Sequence, residues 1–326
     1  MSDTRRDFFN STAVAMAGLS AAGPLTAQAA SPAPQQGGRG QGGRGGPGAQ
    51  QPLRPASEVQ VPKMKFGNTE ISRLVCGCNQ FYGFSHFNST LDAAMREYYT
   101  QARVCDVLHQ CNRFGINGFN YYPGGRGQSD LEAFLAEGGQ MHLIVQGMGD
   151  LTAFMKTYKP LAVYHQGGIT DTAYHYAQID TVKEWCKKMR GTGTMVGVGS
   201  HNPEVIALVE DQNWDVDFYA CCVYNWSRTP EERRKALGGE LVETQDQGDT
   251  YVQSDPPKMY NVIRAVKKPC FAYKILAAGR VANVEQAFRT AYQSIKPTDG
   301  VFIGLWPTVK DQVRENAERV HRLLTS

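Results

Sequence analysis

From Lys63 onward the chain repeats one pattern, a short apolar run without in/out alternation followed by a longer segment of helical character. The runs fall at residues 73–78, 118–121, 142–147, 161–165, 195–199, 216–222, 270–275 and 300–303. A strand that is apolar on both faces has to be covered on both, which is the condition of a parallel sheet wrapped in helices. Helix starts lie between the runs. Asn202-Pro203 and Asp255-Pro256 each set a capping side chain before a first-turn proline, and Asn283 stands three residues ahead of Gln286, as in a capping box. A last helix is expected from about Asp311 to Leu324, with Val313, Val320, Leu323 and Leu324 on one side. Eight β/α units in about 260 residues make a (β/α)8 TIM barrel. The competing fold, an open doubly wound sheet, lacks its Gly-rich dinucleotide fingerprint after the first run. Two connections are long, 79–95 after the first strand and 225–254 after the sixth. Both leave the strands' C-terminal ends, the face where barrels keep their active sites.

The residues before the barrel read differently. Thr4-Arg5-Arg6-Asp7-Phe8-Phe9 precedes a mildly apolar, alanine-rich stretch at 11–23, and Ala27-Gln28-Ala29 follows as a small-x-small cleavage pattern. Residues 1–30 resemble a bacterial twin-arginine export signal, which implies passage through the twin-arginine translocase to a periplasmic or otherwise exported destination. A stretch of about a dozen residues, broken by Gly18 and closed by Gly23 and Pro24, is too short to span a bilayer. Residues 31–62 are Gly, Gln, Pro and Arg in low-complexity order, with almost nothing apolar to bury, so a disordered tether is expected there and the barrel at 63–326. Of the net charge of +3, most belongs to residues 1–62, with five arginines against Asp3, Asp7 and Glu58. The body is therefore close to neutral, which speaks against a nucleic-acid-binding face. All eight cysteines lie in the body, and Cys76, Cys78, Cys221, Cys222 and Cys270 sit in the apolar runs. Mostly free, buried thiols are expected rather than a disulfide framework.

Six segments in register carry a family resemblance. They are Met64-Lys65-Phe66-Gly67-Asn68-Thr69-Glu70-Ile71-Ser72-Arg73-Leu74, Phe114-Gly115-Ile116-Asn117, Val163-Tyr164-His165, Gly197-Val198-Gly199-Ser200-His201-Asn202-Pro203, Ala272-Tyr273-Lys274-Ile275-Leu276-Ala277-Ala278-Gly279, and the stretch from Gly304 to Glu315-Asn316. In that order they resemble the opening hairpin, the second, fourth, fifth and seventh strands, and the closing segment of the aldo-keto reductases. The resemblance implies an aldo-keto-reductase-type barrel from Lys63 to the end. It further implies reduction of a carbonyl or sugar-like small molecule with NADP(H). In that family a tyrosine donates the proton, a lysine lowers its pKa, an aspartate orients the lysine and a histidine positions the carbonyl.

The carry-over is uneven. His165 takes the histidine's place, but Asn120 stands where the family has its aspartate, Gly125 where it has the tyrosine, and Gln146 where it has the lysine. A phenol with a pKa near 10 is a poor acid at neutral pH without a cation beside it, and Gln146 supplies none. Tyr121 or Tyr122 is left as the substitute acid, with Arg126 as the cation. On the cofactor side, Tyr273 matches the aromatic that stacks on nicotinamide, Lys274 follows it in the same segment, and Ser200 matches the asparagine that contacts the carboxamide. Lys310 and Arg314 bring positive charge to the region where the family holds the 2′-phosphate, and Asn316 ends the matching segment.

A second constellation belongs to this chain itself. His165-Gln166-Gly167-Gly168-Ile169-Thr170-Asp171 follows the fourth strand, and His201 ends the fifth. Adjacent strands would set His165, Asp171 and His201 at one mouth, where histidine and carboxylate suit acid/base chemistry or a divalent metal. His86, in the first long loop, is placed to close over them. Three functions follow: an NADP(H)-dependent oxidoreductase with a degenerate tetrad, a non-redox lyase, isomerase or hydrolase using His165, Asp171 and His201, or a binding protein without chemistry.

Overall fold

The computed structural model describes residues 53–238 and 249–325; the expected export signal and the first part of the expected tether lie outside them. Strands β1 (Lys63–Phe66) and β2 (Thr69–Ser72) form an antiparallel hairpin turned by Gly67, whose φ of +60° a β-carbon would oppose. The next eight strands are β3 (Leu74–Gly77), β4 (Gly118–Tyr121), β5 (His142–Gly147), β6 (Ala162–His165), β7 (Met195–Ser200), β8 (Phe218–Cys222), β9 (Cys270–Tyr273) and β10 (Gly300–Ile303). They close in the order β10-β3-β4-β5-β6-β7-β8-β9, each pair parallel. This is a (β/α)8 TIM barrel, and every apolar run of the sequence supplies one of its strands.

Two separate apolar layers explain the missing alternation. Val75, Ile144, Ala162, Tyr164, Phe218, Ala220, Phe271 and Phe302 fill the lumen. Phe66 of the hairpin plugs its floor, edge-on to Phe218 and Phe271 at 5.2 Å. The alternate strand residues face the helices instead, among them Cys76, Phe119, Val145, Val163, Val198 and Val301. Both faces are thus buried, and a strand can be apolar throughout. All eight cysteines are free and buried, as expected.

Some boundaries differ from the sequence reading. β9 stops at Tyr273 because Lys274 turns left-handed, with φ +61°. Asn202 caps its helix through the Glu204 N–H at 3.0 Å, but Asp255 caps nothing. It opens the helix Asp255–Ala265 as a helical residue, and its carboxylate is taken by Arg228 and by the Asn225 N–H. Asn283 caps Gln286 at 3.0 Å, while the Gln286 side chain turns forward to Thr290, so the box is half made. The last helix runs Gln312–Thr325. The tether was expected to end at residue 62, yet Val59 and Val61 are buried and the Val61 N–H bonds Phe114 O at 2.9 Å. Apolar side chains at two positions of the sparse segment are enough to dock it, so the packed unit begins before Lys63.

Candidate active site

Strand parity decides which side chains reach the mouth. Gly118 and Asn120 share a face of β4, and a β-carbon on Gly118 would strike Ile71 and Val75 of the lumen. Asn120 therefore points inward, where its Oδ1 accepts from the Tyr164 hydroxyl at 3.1 Å. Gln146 lies on the face of Ile144 and donates to Cys78 Sγ at 3.5 Å. Tyr121 takes the opposite face. It is fully buried against Phe119 and Phe154 in the helix layer and is no substitute acid for the lumen. Arg126, its proposed cation, binds Asp130 and the carbonyls of Phe81 and Tyr99.

His165 is likewise turned away. Ala162 and Tyr164 occupy the lumen, so His165 sits with Val163 on the outer face of β6. Its Nδ1 shares a 2.8 Å hydrogen bond with Thr170 Oγ1, and its ring meets the edge of Trp185 at 5.1 Å. Burial lowers its pKa to about 4, which keeps it neutral. The side chain that enters the lumen from the end of this strand is Tyr164, one residue earlier.

Asp171 and His201 do meet. The helix Gly167–His175 opens directly after β6, with Gln166 capping it through the Ile169 N–H. One turn in, Asp171 faces the end of β7. Its Oδ1 accepts from Ser200 Oγ, and its Oδ2 accepts from the His201 backbone N–H at 3.1 Å and lies 2.7 Å from His201 Nδ1. A carboxylate at that distance assigns the ring proton to Nδ1 and leaves Nε2 as the acceptor. Nε2 is 3.3 Å from the Tyr273 hydroxyl, which donates to it. Burial pushes the Tyr273 pKa well above its usual value, so it stays a phenol. Trp226 lies flat on the His201 ring, with centroids 5.1 Å apart and planes 7° apart. Gly167 makes the approach possible: a β-carbon there would stand 2.9 Å from the Tyr273 oxygen and 3.2 Å from the His201 ring.

Tyr273 also lines a cavity of about 280 Å³ at the barrel mouth, at the small end for ligand pockets. Asn79, Gln80, His86, Asn120 and Lys274 give it polar groups; Phe84, Leu276, Phe302 and Trp306 give it apolar walls. His86, from the first long loop, forms part of its wall. It bonds Asp249 Oδ2 at 2.8 Å and Asn79 Nδ2 at 3.1 Å and packs on Trp226. Arg280 holds the same loop through the carbonyls of His86 and Phe87. Among the described residues, no group of three metal-ligating side chains is brought together.

The fold stands on strand order alone, and known proteins add only its company. No protein-family model matches the chain, and no curated protein matches it in sequence. Solved structures do match. A truncated 3-deoxy-D-arabino-heptulosonate 7-phosphate synthase from Thermotoga maritima is 13% identical, with a TM-score of 0.44 over 82% of this chain and 91% of that one. An aldo/keto reductase from Brucella melitensis is 11% identical, with a TM-score of 0.40 over 82% and 95%. What they share with it is the barrel.

The remaining residues of the expected cofactor set are scattered. Ser200 faces outward and serves Asp171. Lys310 lies on the surface 3.5 Å from Glu315; Arg314 bonds Glu318 and the Arg54 carbonyl and covers the Phe114 ring. Asn316 is buried and accepts from Arg319 at 2.6 Å. None of these lines the cavity; Tyr273 and Lys274 do. Trp226, Asp249 and Asn79 were not singled out from the sequence. Their one signal there is their place in the two long connections at the mouth.

Proposed function

We propose that this chain is a non-redox enzyme that moves protons on a small polar substrate at the barrel mouth. Tyr273 is the group that meets the substrate, His201 takes and returns its proton, and Asp171 fixes the histidine's tautomer and balances its charge. The observation that carries the reading is the unbroken chain Asp171–His201–Tyr273, ending in a residue of the cavity wall. The loss of the reductase tetrad agrees with it: Asn120 and Gln146 face the lumen without charge, Gly125 has no side chain, and His165 is outside. A lyase or isomerase acting beside a carbonyl or hydroxyl group is the reaction class that needs such a relay and no hydride. The Arg5-Arg6 signal supports an exported, periplasmic site of action.

Deuterium exchange tests this without knowledge of the product. The protein is incubated in D2O with a panel of small hydroxyaldehydes and hydroxyketones, and C–H loss is followed by proton NMR. Exchange is expected with at least one member, falling by about 10²-fold or more in His201→Gln and Tyr273→Phe and unchanged in Tyr121→Phe. Exchange undiminished in both site variants would end the reading.

NADP(H)-dependent reduction is the second reading. The cavity favours it, because it runs along Tyr273–Gly279 and Phe302–Trp306, the side to which the reductase resemblance assigns the nicotinamide. Nucleotide released on denaturation and seen by mass spectrometry would favour it over the first; the engaged state of Lys310 and Arg314 counts against it.

A further inference from the structure

Lys274 has no part in the relay, yet its setting is unusual for a lysine. Its backbone is left-handed, φ +61°, and Ala277 and Ala278 follow at +47° and +52°. Glycine adopts that conformation freely and a β-carbon residue does not, so a long side chain here is held against backbone preference. The residue lines the mouth cavity beside Tyr273. Its Nζ sits 3.8 Å over the centre of the Trp226 ring. Among the described residues no carboxylate lies within ion-pair distance of it; Asp249, the acidic neighbour that acts on its charge, is bonded to His86. The residue as a whole is half-buried while its amine is enclosed. That enclosure lowers its pKa to about 8, with Arg280 pushing the same way and Cys222 and Asp249 opposing.

We infer that Lys274 is a covalent amine nucleophile, and that the substrate is a small aldehyde or ketone bound in the mouth cavity. The inference deepens the proton-transfer reading and rests on it for the proton supply. The neutral amine attacks the carbonyl carbon, forming a C–N bond as the carbonyl oxygen takes up a proton. The carbinolamine then loses that oxygen as water, the nitrogen lone pair closing the C=N bond. Overall, ammonium and carbonyl give iminium and water, and nothing is oxidised or reduced. The iminium draws electrons from the neighbouring carbon, which is where a proton relay acts on a lyase or isomerase substrate.

Reductive trapping tests this on the full chain. The protein is treated at neutral pH with glycolaldehyde or hydroxyacetone and sodium cyanoborohydride, and each lysine's modification is followed by peptide mass spectrometry. Lys274 is expected to label about ten-fold faster or more than any other lysine, since a pKa of about 8 leaves far more free amine than the ordinary 10.4. Lys274→Met, checked for folding by circular dichroism, should lose only that fast phase. Labelling of Lys274 in the unsubstituted protein no faster than that of the exposed Lys310 overturns the inference, and that comparison needs no variant. His201→Gln separates the two proposals. Fast labelling at Lys274 with D2O exchange undiminished sinks the relay and spares the lysine; slow labelling with relay-dependent exchange does the reverse.

Discussion

Changing Asp171 to asparagine should destabilise the protein and reverse the tautomer of His201. The carboxylate receives the Ser200 hydroxyl, the His201 backbone N–H and the His201 ring. It is almost fully buried, so water does not replace a lost partner. A hydrogen bond to a charged group contributes about 1.5–3 kcal/mol and a neutral one about 0.5–1.5, so moving three bonds from the first class to the second costs about 3 kcal/mol. The amide also has one acceptor oxygen where the carboxylate had two. With that oxygen kept on Ser200 and the backbone, the NH2 group faces His201 Nδ1. The ring must then surrender its Nδ1 proton and carry one on Nε2, which would donate to Tyr273 instead of accepting from it. Urea denaturation reads the stability, and nitrogen NMR of the imidazole reads the tautomer. A variant within about 0.5 kcal/mol of the parent, with the ring proton still on Nδ1, would refute the described role of the carboxylate.

Three further outcomes are expected. His165, with a folded pKa of about 4 against about 6.5 when unfolded, refuses a proton that the unfolded chain accepts. Stability should therefore be full above about pH 6.5 and fall by about 3 kcal/mol as pH drops to 4, and His165→Phe should flatten that slope in denaturation curves taken across the range. Gly167→Ala adds a β-carbon 2.9 Å from the Tyr273 oxygen in a first helical turn that favours alanine, so thermal stability should stay within about 1 kcal/mol while the His201 ring resonances move; unmoved resonances would contradict the close approach. Arg5→Lys with Arg6→Lys should leave unprocessed precursor in the cytoplasm, and normal maturation seen on a blot would remove the export reading.

The same physics made the barrel legible and hid the site. Strands buried on both faces appear as unbroken apolar runs, and eight such runs separated by capped helices leave few folds to choose from. An unbroken run carries no parity, however. Whether Tyr164 or His165 enters the lumen depends on a one-residue phase that alternation would have revealed in a half-exposed sheet. Here the phase is set by closure: Ala162 and Tyr164 pack against Phe218 and Phe302, and His165 is left to Thr170 and Trp185. Tyr121 missed the lumen for the same reason, one residue past Asn120. Asp171 and His201 escaped the ambiguity because neither lies within a strand. Asp171 stands four residues beyond Gly167, where the helix begins, and that spacing returns its side chain to the face that meets the end of β7.

The mouth shows why loop residues were the hardest to read. Trp226, Asp249 and His86 lie in long connections with no periodicity to orient them. Yet they build one stack, His201 and His86 both packing on Trp226 with the Lys274 amine over the same ring. Each contact joins a different barrel connection, so no single segment encodes it. A strand tip gives the site its position, but the loops give it its environment, and the environment sets the chemistry. The lowered Lys274 pKa follows from burial of its amine over Trp226, and the Tyr273 phenol stays protonated because it too is buried. The two shifts have opposite signs and one cause, since burial favours a neutral amine and a neutral phenol together. An amine that gives up its proton more readily than an ordinary lysine and a phenol that keeps its own, on two residues of one cavity wall, are the pair that carbonyl chemistry requires.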